Sequence, residues 1–194
     1  MRTCLVLGGG DTLQDDIAAY RGPVDGAIAA NDAGMVWPGE LDAWVSLHAT
    51  HWIGKGWVQG RADRGYPPAR RHLGHGAAGR CHAGKGLPEG TEFIPYKFPG
   101  QTRSGSSGLF AAKVALIDMG FDRVVLCGVP MDDRPHYWDE GRQPWKACET
   151  FRPAWQALAP EYRARMRSMS GWTRELLGGM GFSTQIGCGI HSYC

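Results

Sequence analysis

No apolar run in the 194 residues approaches the length that a bilayer span requires, so a membrane-spanning helix is not expected. The opening MRTCLVLGGGDT does not have the form of a secretory signal, because its apolar stretch is short and runs directly into a glycine turn. Charge of one sign is lacking too. Twenty-one basic residues face nineteen acidic ones, for a formal net charge of +2, which gives no general attraction to nucleic acid. The six cysteines follow no spaced framework, and reduced thiols in a cytoplasmic protein are expected. Two phosphate-binding signatures are missing as well. There is no G-x-x-x-x-G-K-[ST], and Leu13 stands where a dinucleotide fingerprint starting at Gly8 would place its third glycine. P-loop ATP hydrolysis and NAD chemistry both recede. No internal repeat is present.

What is abundant is glycine, at 29 residues, clustered in short groups between apolar segments and therefore in loops. Cys4 to Leu7 reads as a strand that ends in the turn Gly8-Gly9-Gly10. Asp11 or Thr12 can then cap a helix through Ala19, with Asp15 and Asp16 in its first turn, where the helix dipole favours acid. Gly26 to Ala30 is a second strand, with a loop beginning at Asn31-Asp32, and Ala43 to Leu47 is a third. Residues 54–90 read as a loop-rich insertion with a short helix, beside which Trp52 and Trp57 pack on the sheet. TEFIPY supplies a fourth strand, Leu109 to Met119 a helix with Gly120 as C-cap, and RVVLCGV a fifth strand. That strand is apolar throughout, as a parallel strand covered on both faces should be. Helices follow between about 148 and 177, the last with Ser170 as N-cap and Leu176-Leu177 as core anchors. The alternation predicts one doubly wound, mostly parallel, Rossmann-like α/β domain.

In such sheets ligands bind at the carboxyl ends of the strands. The Gly8-Gly9-Gly10 turn lies at one such end. The loop RSGSSG precedes a helix whose free N–H groups attract anions. Two small-residue loops at one edge suit a phosphate-bearing ligand; two tight turns would look the same. Asp132 and Asp133 follow the fifth strand, where an acid binds Mg²⁺, orients a hydroxyl or sits in a solvated turn. His136 lies on the same loop and His48 at the end of the third strand, so both are pocket candidates for proton transfer. His72, His75, Cys81 and His82, among Arg70, Arg71 and Arg80, lack a zinc-ligand spacing, and no metal site is expected there.

The segments LVLGGGDTLQDDI, DGAIAANDAG, LDAWVSLH and SGSSGLFAAKVALIDMGFDRVVLCGVPMD together resemble a superfamily with two branches. One contains bacterial sialyltransferases that use a CMP-sugar donor. The other contains proteins similar to 6-hydroxymethylpterin pyrophosphokinase, many of them bacterial or phage proteins. The resemblance covers residues 4 to 48 and 103 to 132. It implies that Gly8, Gly9 and Gly10 lie under the phosphates or ribose of a nucleotide and that Asn31 hydrogen-bonds it. Ser106, Ser107 and Gly108 would line the same pocket, Gly128 would let the ligand approach, and His136, with Asp132, would serve the chemistry. Asp11-Thr12 replaces the usual Pro-Ser of the first turn, and Pro130 takes the place of the usual acid after the last strand. The expectation is a nucleotide-dependent transferase acting on a nucleotide-sugar and a small acceptor. It would hold no tightly bound cofactor, although Mg²⁺ could accompany the nucleotide. Mg²⁺-dependent pyrophosphoryl transfer, or nucleotide binding without catalysis, are the alternatives.

Overall fold

Alternate residues of three short strands enter two different cores, and this decides the architecture. Cys4, Val6, Ile28, Ala30, Val124 and Leu126 face one side, while Leu5, Leu7, Ala27, Ala29, Val125 and Cys127 face the other. Each large side chain fully buried this way contributes about 1.5–3 kcal/mol, and a strand buried on both faces needs helices on both faces.

The computed structural model describes residues 1–75, 86–137 and 143–179. In chain order they form β1 (Thr3–Leu7), α1 (Leu13–Ala19), β2 (Gly26–Ala30), β3 (Ala43–Ser46), α2 (His51–Gly54), α3 (Trp57–Asp63) and β4 (His72–His75). Then come β5 (Glu92–Ile94), α4 (Ser107–Lys113), β6 (Arg123–Cys127), α5 (Cys148–Gln156), α6 (Pro160–Ala164), β7 (Met166–Ser168) and α7 (Gly171–Leu177). A 3₁₀ turn, Asn31–Met35, follows β2. The seven strands form one sheet in the order β5-β4-β3-β2-β1-β6-β7, with every pairing parallel. From β1 the chain winds outward through β2 to β5, then returns to place β6 and β7 on the other side. The order therefore reverses between β1 and β6. No helix among the described residues is long and apolar enough to cross a membrane.

The expected doubly wound α/β sheet is thus present, and Trp52 and Trp57 pack in the core on one face of it. Two strands lie where none was expected. β4 falls inside the stretch read as a loop-rich insertion, yet it is an interior strand between β3 and β5. Its sequence HLGH offers only Leu73 as a core residue, and Gly74 is there because a Cβ would stand 2.7 Å from the Phe93 ring. β7 is a three-residue strand between the C-terminal helices. α4 starts at Ser107, not Leu109, and runs on into a π-helical turn, Val114–Asp118, where the nearly buried Lys113 ammonium meets both oxygens of Asp118 at 2.9 and 2.8 Å. Gly120 ends it at φ +65°, the left-handed C-terminal conformation expected of it.

Arg61 gives the supposed insertion a definite task. Only 2% exposed, it donates to the carbonyls of Gly34, Trp37, Gly39 and Pro67. One guanidinium on α3 thereby fixes the turn that follows β2.

Candidate functional site

A cleft of about 340 Å³ opens at the carboxyl ends of the strands, where the strand order reverses. Gly8, Gly9, Gly10, Asn31, His48, Ser106, Ser107, Gly108, Gly128, Asp132 and His136 all line it. Asp133 does not; it is exposed.

The glycines divide into two kinds. Gly8 N–H donates to the Cys127 carbonyl and Gly10 N–H to the Gly128 carbonyl, each at 2.8 Å. A Cβ on Gly8 would stand 2.5 Å from the Gly128 oxygen, and one on Gly10 2.5 Å from Pro130 Cδ. These two are glycines because the loops after β1 and β6 press against each other. Gly9 differs: its carbonyl accepts from Tyr137 N–H at 3.0 Å, and its own N–H has no partner among the described residues. On the far wall Ser106 caps α4, its hydroxyl oxygen accepting from Leu109 N–H at 3.3 Å. Gly108 lies inside the first turn of that helix, where a Cβ would meet Val129 Cγ1 at 2.8 Å. The first N–H groups of the helix, at Ser107 and Gly108, are left for an anion.

Two non-glycine residues have positive φ among the described residues, Asn31 (53°) and Met131 (52°), and both line the cleft. Such strain concentrates where backbone must point in a set direction. The Ser46 hydroxyl accepts His48 N–H at 2.9 Å and donates to Asn31 Oδ1 at 3.0 Å, which leaves the Asn31 NH₂ as its remaining polar group. The Trp44 indole N–H donates to the Asn31 carbonyl.

Asp16 lies in the first turn of α1, as expected, and it is also buried there: its Oδ2 accepts from Gly128 N–H (2.8 Å), Thr12 Oγ1 (3.0 Å) and Ser170 Oγ (2.7 Å). Thr12 and Ser170 both occupy N-cap positions, but their hydroxyls serve this carboxylate and not the helix ends. Asp16 ties the floor of the cleft to α1 and α7. Beneath it, burial first and then Asp16 push the Cys127 thiol up to about 12, far from a thiolate nucleophile.

The loop after β6 carries the charged groups. Asp132 is gripped by Arg134, with Nε at 3.0 Å and an amino nitrogen at 2.7 Å. Arg134, which no sequence motif marks, lines the cleft and lies 3.9 Å from Asp11. Of the two acids of this loop, Asp132 lines the cleft, engaged by Arg134, and Asp133 is exposed outside it. His136 pairs with Gly10 in an isolated antiparallel bridge and sets its ring against the Trp145 edge, with centroids 5.0 Å apart. His48 stacks on His51 at 5.2 Å. Burial, then Lys55 and His48, hold the His51 imidazole below its ordinary range, so it favours the neutral form.

His72 and His75, both on β4, are separated by the strand period. His72 lies between Trp44 and Trp52 on one face of the sheet, and His75 packs against Tyr96 on the other. They cannot share an ion. Cys81, His82 and Arg80 lie outside the described residues, and no group of three or more metal-ligating side chains converges among those described. Burial alone lowers the His72 pKa from 6.5 to about 4. The folded chain therefore resists a proton that the unfolded chain accepts, so stability is complete above pH 6.5 and falls as the pH drops toward 4. The loss approaches about 2–3 kcal/mol. Urea unfolding of His72→Leu between these pH values should show a flatter acid limb than the wild type; an unchanged slope would place the titration elsewhere.

No family profile matches the chain, and no curated protein matches it by sequence. Its fold is similar to solved structures of the sialyltransferase CstII from Campylobacter jejuni. Against the complex with cytidine-5′-monophosphate the TM-score is 0.62 at 12% identity, covering 92% of this chain and 85% of that one. The complex with the substrate analogue CMP-3FNeuAc gives a TM-score of 0.59 at 11% identity, covering 90% and 84%. CST-II with trisaccharide acceptor and CMP gives 0.63 at 10%, covering 92% and 86%. At these identities the likeness establishes a shared fold.

Proposed function

We propose that this chain is a nucleotide-dependent glycosyltransferase that uses a CMP-sugar-like donor. One observation carries the reading. The unpartnered Gly9 N–H, the open N–H groups of α4, the Asn31 amide, Arg134 and two histidines converge on one cleft at the reversal point of the sheet. The sialyltransferase structures that share this fold are complexes with CMP or a CMP-sugar analogue, which supports cytidine as the base.

The chemistry follows from placement. The α4 N–H groups and Arg134 receive the phosphate and the charge it gains as the glycosidic C–O bond breaks. His136 takes the proton of the acceptor hydroxyl as that oxygen bonds to the anomeric carbon, or gives one to the leaving phosphate. Asp132 acts through Arg134 and aims its fork. Pyrophosphoryl transfer is the less supported reading, because Asp132 is paired and Asp133 is exposed outside the cleft. Any Mg²⁺ would then arrive with the nucleotide.

Thermal melts with CMP, CDP, GTP and ATP, each with and without Mg²⁺, test this. CMP at about one hundred times its Kd should stabilise the fold by roughly 2.7 kcal/mol, a rise in Tm of roughly 5–10 °C. If no nucleotide shifts the melt at millimolar concentration, the proposal fails.

A further inference from the structure

Asp32 is an acid of the cleft that the transfer chemistry leaves unused. It is 2% exposed, makes no ion pair among the described residues, and its Oδ1 is buried without a hydrogen-bond partner. It nevertheless lines the cleft. Its place is fixed from three directions. It belongs to the 3₁₀ turn directly after β2, held by Arg61 through the Gly34 carbonyl at 2.6 Å. Tyr137 donates its hydroxyl to the Asp32 carbonyl at 2.9 Å and its backbone N–H to the Gly9 carbonyl at 3.0 Å. One residue thus joins the acid to the glycine turn of the neighbouring parallel strand.

Burial raises the Asp32 carboxyl from 3.8 to about 8, against smaller opposing contributions from the backbone N–H groups of Asp32 and Ala33 and from Lys55. A rigidly placed acid with an orphan oxygen is unfavourable in the protein alone. A ligand donor would relieve it. In doubly wound domains that bind dinucleotides, an acid about 20 residues after the glycine turn of the first strand hydrogen-bonds the ribose 2′-hydroxyl. Asp32 occupies that position: β2 lies beside β1, and the acid is two residues beyond its last residue.

We infer that Asp32 recognises the ribose of the bound nucleotide, so that the cleft selects ribonucleotides over 2′-deoxyribonucleotides. This rests on the nucleotide reading proposed above. A site built to hydrogen-bond a hydroxyl discriminates strongly against a ligand that lacks it, because the buried group is then left unpaired.

Calorimetric titration of the full chain with CMP and 2′-deoxy-CMP tests the inference. The wild type should bind CMP at least about tenfold more tightly than 2′-deoxy-CMP. Asp32→Asn keeps the shape of the side chain, and Asp32→Ala removes it. In Asp32→Ala the preference should shrink to about threefold or less, chiefly through weaker CMP binding, while Asp32→Asn, whose amide oxygen still accepts, should lose only part of it. An unchanged preference in folded variants, or none in the wild type, overturns the role of Asp32 while leaving nucleotide binding intact. Failure of the wild type to bind CMP at all overturns both readings. If neither variant folds, Asp32 is a structural group and the inference falls.

Discussion

His136→Ala is expected to leave the affinity for CMP nearly intact and to lower turnover of a CMP-sugar donor by roughly 10²- to 10⁴-fold, the usual worth of a positioned proton-transfer group. The expectation rests on where the loop puts the ring. The bridge to Gly10 fixes the backbone at the reversal point of the sheet, and the Trp145 edge limits the ring on the other side. Imidazole exchanges a proton near neutral pH with little help from its surroundings. The neighbouring acid is a poorer candidate, because Asp132 is engaged by Arg134 through two nitrogens. Binding isotherms and initial rates on the one variant separate the roles. A parallel fall in affinity and rate would make His136 a contact to the nucleotide. Undiminished turnover would remove it from the mechanism and move the proton transfer to His48, the other histidine of the cleft.

The loops that make the cleft were legible because small residues at strand ends leave a local signature. Gly8 to Gly10, the Ser106–Gly108 stretch and Asn31 could be placed from their neighbours in sequence alone. What decides their roles is long-range. Asp16 looks like any acid in a first helical turn; only the fold brings it to Gly128, 112 positions away, and to Ser170, 154 positions away. Arg134 and Asp32 carry no motif, and only the fold sets both along one cleft. Met131 gives no sign in sequence of its positive φ. β4 was hidden for another reason. Its neighbours β3 and β5 supply the burial that its own residues do not advertise, so HLGH reads as loop until the sheet is assembled. His72 and His75 show the same dependence on the fold: three positions apart in sequence, they are divided by the strand period between two faces.

Gly128 separates a loop-packing role from a ligand-approach role, and Gly128→Ala is expected to cost stability before anything else. Its φ is +66°, where an alanine costs about 1–2 kcal/mol. A Cβ would stand 2.4 Å from the Gly8 carbonyl oxygen and 2.7 Å from Leu13 Cβ, so strand end and helix start must both move. That movement would stretch the bond from Gly128 N–H to Asp16, which anchors α7 as well. The sum is a loss of about 3–5 kcal/mol and a fall in Tm of roughly 8–15 °C. Gly108→Ala provides the contrast. Its backbone is helical, alanine gains about 0.5–1 kcal/mol over glycine in a helix, and the one tight contact of the new methyl is with the Val129 side chain at 2.8 Å. Stability should change by less than about 1 kcal/mol, while CMP binding weakens as Val129 is pushed into the cleft. Melting curves and CMP isotherms on the two variants check both halves. A Gly128→Ala protein that melts like the wild type but no longer binds CMP would mean that this glycine makes room for the ligand, not for the loop after β1.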